Sequence, residues 1–142
     1  MEFKLTPPVT ESKLKISYQD KILLIGSCFS EEIGNKMKEL KFDVMQNPNG
    51  ILYDPVSICS ALNSYLENKK YGADDIFLLN ELWHSWDHHS AFSGPDKESV
   101  LENINHSQKT AFHFLKSATW IIITPGTAFN YCIKETCKPV AN

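Results

Sequence analysis

The chain has 142 residues, 42% hydrophobic and 22% charged, with a formal net charge of -3. That length holds one core but hardly two independent domains. No run of one charge sign would draw in nucleic acid, no apolar run reaches the ~20 residues of a membrane span, and the start lacks a signal-peptide core, so a soluble, cytoplasmic protein without membrane insertion is expected.

Residues 1–20, with Pro7, Pro8 and scattered charges, read as an entry arm with a short edge strand near Leu14 to Ile16. The four aliphatic residues Ile22-Leu23-Leu24-Ile25 then read as a strand buried on both faces, the habit of a central parallel strand. It runs straight into Gly26-Ser27-Cys28-Phe29-Ser30. The next element reads as a helix: Phe29, Ile33, Met37 and Leu40 recur on one side, Glu31 and Glu32 lie in the first turn, and Lys36, Lys38 and Lys41 lie at the end, as the helix dipole favours. A thiol or hydroxyl at such a junction stands at the carboxyl edge of the sheet, beside backbone N–H groups that can stabilise a thiolate or an oxyanion.

Phe42 to Met45 reads as a second strand and Asn47-Pro48-Asn49-Gly50 as a turn. Asp54 then Pro55 starts a helix as N-cap and first position, with Val56, Ile58, Cys59, Leu62, Tyr65 and Leu66 as its apolar face and an end near Asn68 to Gly72. Ile76 to Leu79 is a short strand or turn. The stretch Leu82 to Ser90, dense in aromatics and imidazoles, reads as an insertion loop used for function or docking. Pro95 opens a long helix whose core side carries Val100, Leu101, Ile104, Ala111, Phe114 and Leu115, with His106 and His113 at its surface or boundary. Thr119 to Thr124 is a second apolar strand that stops at Pro125-Gly126-Thr127. Phe129 to Ile133 and Lys138 to Ala141 form the arms of a hairpin.

Strands alternating with helices imply a parallel α/β sheet that binds ligands beyond the carboxyl ends of its strands. Ser27, Cys28, Gly50 and Gly126 should gather there. The four cysteines, Cys28, Cys59, Cys132 and Cys137, form no CxxC pair and read as free buried thiols, although Cys132 and Cys137 can face each other across the hairpin. Asp87-His88-His89 suits a proton relay. Its likeness to the name-giving motif of DHH phosphoesterases is rejected, because no apolar strand precedes it; metal ligation through His84 and His88 needs a helix there, and no metal or other cofactor is expected.

Gly26-Ser27-Cys28-Phe29-Ser30 resembles the signature of the GSCFA family. Asn47-Pro48-Asn49-Gly50-Ile51-Leu52-Tyr53, Ser85-Trp86-Asp87-His88-His89-Ser90 and Gly126-Thr127-Ala128-Phe129 are similar to that family's recurring segments, so the resemblance spans roughly residues 20–142. The family in turn resembles SGNH or GDSL-like hydrolases, which implies a three-layer α/β/α sandwich with a flavodoxin-like parallel sheet over residues 21–142, incomplete at its carboxyl end.

Laid over the Gly-Asp-Ser block of those enzymes, Cys28 takes the nucleophile's place, with Ser27 its rival. The resemblance gives Gly50 an oxyanion role and brings in Gly126. Ala128 stands where the third block has asparagine, which leaves Asn49 or Asn130 as the substitute donor. The terminal histidine block falls beyond this chain's end, so His88 or His89, beside Asp87, is the internal candidate for the base. The resemblance implies a hydrolase or acyltransferase acting on a small-molecule or saccharide ester. The competing class is a non-catalytic module that binds a glycan or a protein in the same crevice.

Overall fold

The computed structural model describes residues 10–141; Pro7 and Pro8 of the arm lie outside them. Parallel strand β1 (Lys21–Gly26) is flanked by β2 (Asp43–Gln46) on one side and β5 (Trp120–Thr124) on the other, in the order β2-β1-β5. Four successive aliphatic residues of β1, Ile22 to Ile25, are fully buried, as a central strand requires. Helices α1 (Cys28–Glu39), α2 (Pro55–Glu67) and α3 (Lys97–Leu115) fill the connections.

The sheet has two chemically different faces. Ile25 joins Leu52, Ile58, Ala61, Tyr65 and Ala111 in a core contributed by α2 and α3. On the other face Thr124 Oγ1 meets Ser30 Oγ of α1 at 2.7 Å. The contact is between two polar side chains, and the buried positions of α1 are Ser30 and Gly34. Gly34 is small because Gln46 occupies the place of its missing Cβ, 2.2 Å away. The predicted apolar stripe of α1 is therefore displaced: Phe29 and Leu40 are exposed and only Ile33 and Met37 are half-buried.

The caps of α2 and α3 are legible residue by residue. Asp54 accepts from Ser57 N at 2.8 Å with Pro55 in the first turn, and Asp96 accepts from Ser99 N at 2.8 Å. Helix α2 ends at Asn68, in the left-handed region at φ 50. Val56, Cys59 and Leu66 of its expected apolar face point to solvent, while Ile58, Ala61 and Tyr65 hold the core.

Three expectations are corrected. No strand forms at Leu14 to Ile16, where the side chain of Leu14 is exposed; Tyr18 instead anchors this segment by stacking on Phe42 at 4.4 Å. The expected loop from Leu82 begins with a strand, since β3 (Ile76–Leu79) pairs antiparallel with β4 (Leu82–Ser85) across Asn80 and Glu81, both at positive φ. The cysteines are free, as expected, but all four are exposed. In the last hairpin, β6 (Tyr131–Cys132) pairs with β7 (Pro139–Val140), and Cys132 stands opposite Pro139, so Cys137 belongs to the turn.

Candidate functional site

Gly26 ends β1 at φ 144, and a Cβ on it would lie 2.3 Å from Thr124 O. Only glycine lets the two strand ends close so tightly. Ser27 then turns the chain into α1: its N–H donates to Thr124 O at 2.9 Å, and its Oγ caps the helix by accepting from Phe29 N at 3.4 Å. Ser27 is 7% exposed. Cys28, the first helical residue, is exposed. Of the two candidate nucleophiles, the hydroxyl is buried as a cap and the thiol faces solvent at the carboxyl end of the central strand. First-turn N–H groups have no intrahelical acceptor, which leaves that of Cys28 beside its own sulfur.

The segment after β2 folds over this edge. Asn47 Oδ1 accepts from Gly26 N at 2.9 Å, its Nδ2 donates to Glu31 at 3.0 Å, and Leu52 N donates to Gly26 O at 2.9 Å. Tyr53 O accepts from both Gly126 N and Thr127 N, at 2.8 and 3.2 Å. A Cβ on Gly126 would meet the Tyr53 ring at 2.7 Å and Ser27 Cβ at 3.2 Å, so these three residues share one corner. Gly50 N donates to Asn47 O at 2.7 Å. The glycine N–H groups considered for an oxyanion are thus already engaged in the loop. Asn130 is exposed beyond Gly126.

Asn49 is 2% exposed, and its side chain bridges the loop to its surroundings: Oδ1 accepts from Tyr65 OH at 2.7 Å and Nδ2 donates to Asp87 O at 2.8 Å. Burial pushes the Tyr65 phenol well above its ordinary range, which keeps it a hydroxyl donor. Sequence reasoning missed this bracket. The signal was a tyrosine on the core side of α2, whose hydroxyl needs a partner when buried.

Asp87, His88 and His89 go three ways. Asp87 pairs with Lys69 at 3.2 Å and Lys138 at 3.8 Å. His88 is buried against Tyr71 and Phe92, with Nδ1 2.8 Å from Ser85 Oγ and no partner for Nε2 among the described residues. Burial holds its pKa down to about 4, against the pull of the Asp87 carboxylate. His89 lies on the Gly50 loop, its N–H on Asn49 O at 2.9 Å and its Cβ against the place where a Gly50 Cβ would stand. Its Nδ1 accepts from Ala91 N at 3.1 Å.

The segment from His84 to His88 is not helical, and His84 Nδ1 meets Ser93 Oγ at 2.8 Å, so the two imidazoles are not presented as an i,i+4 metal pair. Among the described residues no three His, Cys, Asp or Glu side chains form a metal-binding group, and no helix is long and apolar enough to cross a membrane. A cavity of about 290 Å³ lies apart from Cys28, lined by polar residues of α2 with Tyr71, Asp87 and Lys138.

The GSCFA family model matches residues 21–142. No curated protein and no solved structure matches the chain.

Proposed function

The chain belongs to the GSCFA family, and on that premise we propose that it is an acyl-transfer enzyme, an ester hydrolase or acyltransferase, that uses Cys28 as its nucleophile. The observation that carries this reading is the contrast at one turn: Ser27 buried as a helix cap and Cys28 exposed one residue later, where the central parallel strand ends. The strand order β2-β1-β5 is compatible with the start of a flavodoxin-like sheet. We extend it to the three-layer SGNH-like sandwich.

The Cys28 thiol gives its proton to solvent, and the thiolate attacks the ester carbonyl. The carbon–sulfur bond forms while the carbonyl π pair moves to oxygen, and the oxyanion meets the N–H of Cys28. Collapse breaks the bond to the alkoxide, which takes a proton from water and leaves as an alcohol. Water, or a second alcohol, then attacks the thioester and releases the thiolate with the acid or the new ester. An acyl-decorated saccharide is the substrate class we favour for this chemistry.

Repeated turnover of p-nitrophenyl acetate tests the reading. Because Cys59, Cys132 and Cys137 are exposed too, a single burst of acylation is not diagnostic; turnover should vanish in Cys28→Ala and persist in Cys59→Ser. Equal turnover in Cys28→Ala would overturn it. The engaged N–H groups of Gly50 and Gly126, and a cavity apart from Cys28, favour a second reading as a glycan- or protein-binding module. A full chain that shows saturable ligand binding without turnover would establish that one.

A further inference from the structure

The acyl-transfer reading leaves an oxyanion one donor short, because the glycine N–H groups nearest the edge bond to Asn47 O and Tyr53 O. His89 stands beside the same loop. Its ring caps the short 3₁₀ turn Ser90–Phe92, with Nδ1 accepting from Ala91 N at 3.1 Å. A ring nitrogen that accepts an N–H carries a lone pair, so the proton of the neutral imidazole resides on Nε2. Nε2 has no hydrogen-bond partner among the described residues, and the ring is only half-buried.

We propose that His89 is an oxyanion donor through Nε2–H, and not the general base of the reaction. The proposal rests on the acyl-transfer reading of Cys28. A base would need a bare Nε2, and moving the proton to Nδ1 would break the bond from Ala91 N and leave that donor without its cap. A donor needs no change. This is the arrangement in which a neutral imidazole polarises a carbonyl while a backbone N–H holds its other nitrogen.

Position supports the same role. The main chain of His89 is tied to Asn49 O, and Asp87 O is tied to the Asn49 side chain, so both flanks of His88 are pinned to one residue. Gly50 provides the seat, since any side chain there would collide with His89 Cβ. Gly50 is two residues before Leu52, hence within about 7 Å of the residue bonded to Gly26 O at the root of the nucleophile turn. His89 thus sits against the loop that follows β2, on the carboxyl side of the sheet where Cys28 also lies.

Substitution separates donor from base. Glutamine keeps an N–H at the position of Nε2 but cannot take up a proton, so His89→Gln should retain turnover of p-nitrophenyl acetate within about tenfold, whereas His89→Ala should lose roughly 100-fold, the usual cost of one oxyanion donor. A glutamine variant as impaired as the alanine variant would overturn the proposal. Independently of activity, long-range ¹H–¹⁵N spectra of the wild-type chain at neutral pH should show His89 protonated on Nε2. An Nδ1–H ring with turnover intact sinks this role and spares Cys28. Absence of turnover in the wild type sinks the acyl-transfer reading and this role with it.

Discussion

At the scale of single residues, adjacent histidines show how environment divides identical side chains. Among the described residues, His89 is half-buried with no partner on Nε2, whereas His88 is enclosed by Tyr71 and Phe92 and buries an Nε2 that has none either. Charging that ring inside an apolar box is costly, hence its depressed pKa of about 4 against an ordinary 6.5. The unfolded chain then binds the extra proton first as pH falls. The neutral ring's contribution is full above 6.5, declines as pH drops through 6.5 and is gone below about 4, a total of about 3 kcal/mol for this shift. Urea unfolding of the wild type should show this slope between pH 7 and 5. In His88→Phe, which keeps an aromatic ring in the box, the slope should shrink, while Ser85 Oγ retains the N–H of Asp87 at 3.2 Å. An unchanged slope would mean that His88 titrates exposed.

At the scale of elements, the Asn49 bracket couples the loop after β2 to α2 and to the Asp87–His89 segment through one buried amide. Removing only the phenolic oxygen, in Tyr65→Phe, leaves Asn49 Oδ1 a buried acceptor without its donor. A loss of about 1 to 3 kcal/mol is expected, together with faster hydrogen exchange at the His89 amide bonded to Asn49 O. Exchange unchanged despite the lost stability would show that the bracket does not hold His89. The elements themselves were legible where local chemistry was strong: the aliphatic run of β1, and Asp54-Pro55 at the start of α2; the cap of α3 fell on Asp96, one residue after the Pro95 expected to open it. They were hidden where context decided. Asn80 and Glu81 turn the β3–β4 hairpin at positive φ without a glycine, so the turn left only half of the usual Asn-Gly mark. Phe29, Leu40 and Leu66 matched helical periodicity yet face solvent, because a three-stranded sheet is too narrow to cover every apolar residue of its helices. In the candidate site, the junction at Ser27 and Cys28 was readable from a strand running into a helix, but which of the two is exposed depended on Thr124, 97 residues away from Ser27 in sequence.

At the scale of the molecule, the parallel order sends the carboxyl ends of β1, β2 and β5 to one side, and every residue that shapes the Cys28 corner is drawn from there. The same order makes β5 an edge. Within the described residues it pairs as a strand only with β1, and its sequence Trp-Ile-Ile-Ile-Thr carries no charge and no proline. Ile121 and Ile123, opposite Leu23 and Ile25, are each 48% exposed on the face where α2 and α3 build the core. An uncharged apolar edge of this kind is a template for pairing with another strand, and a single charge on it is the usual safeguard. Ile121→Lys should therefore lower the light scattering of concentrated solutions while changing stability by less than about 1 kcal/mol, since a half-exposed isoleucine contributes only part of its burial energy. The substitution is at the second residue of β5, away from Thr124, so the Cys28 corner should be unaffected. Scattering equal to that of the wild type at matched concentration would show that the β5 edge does not drive self-association.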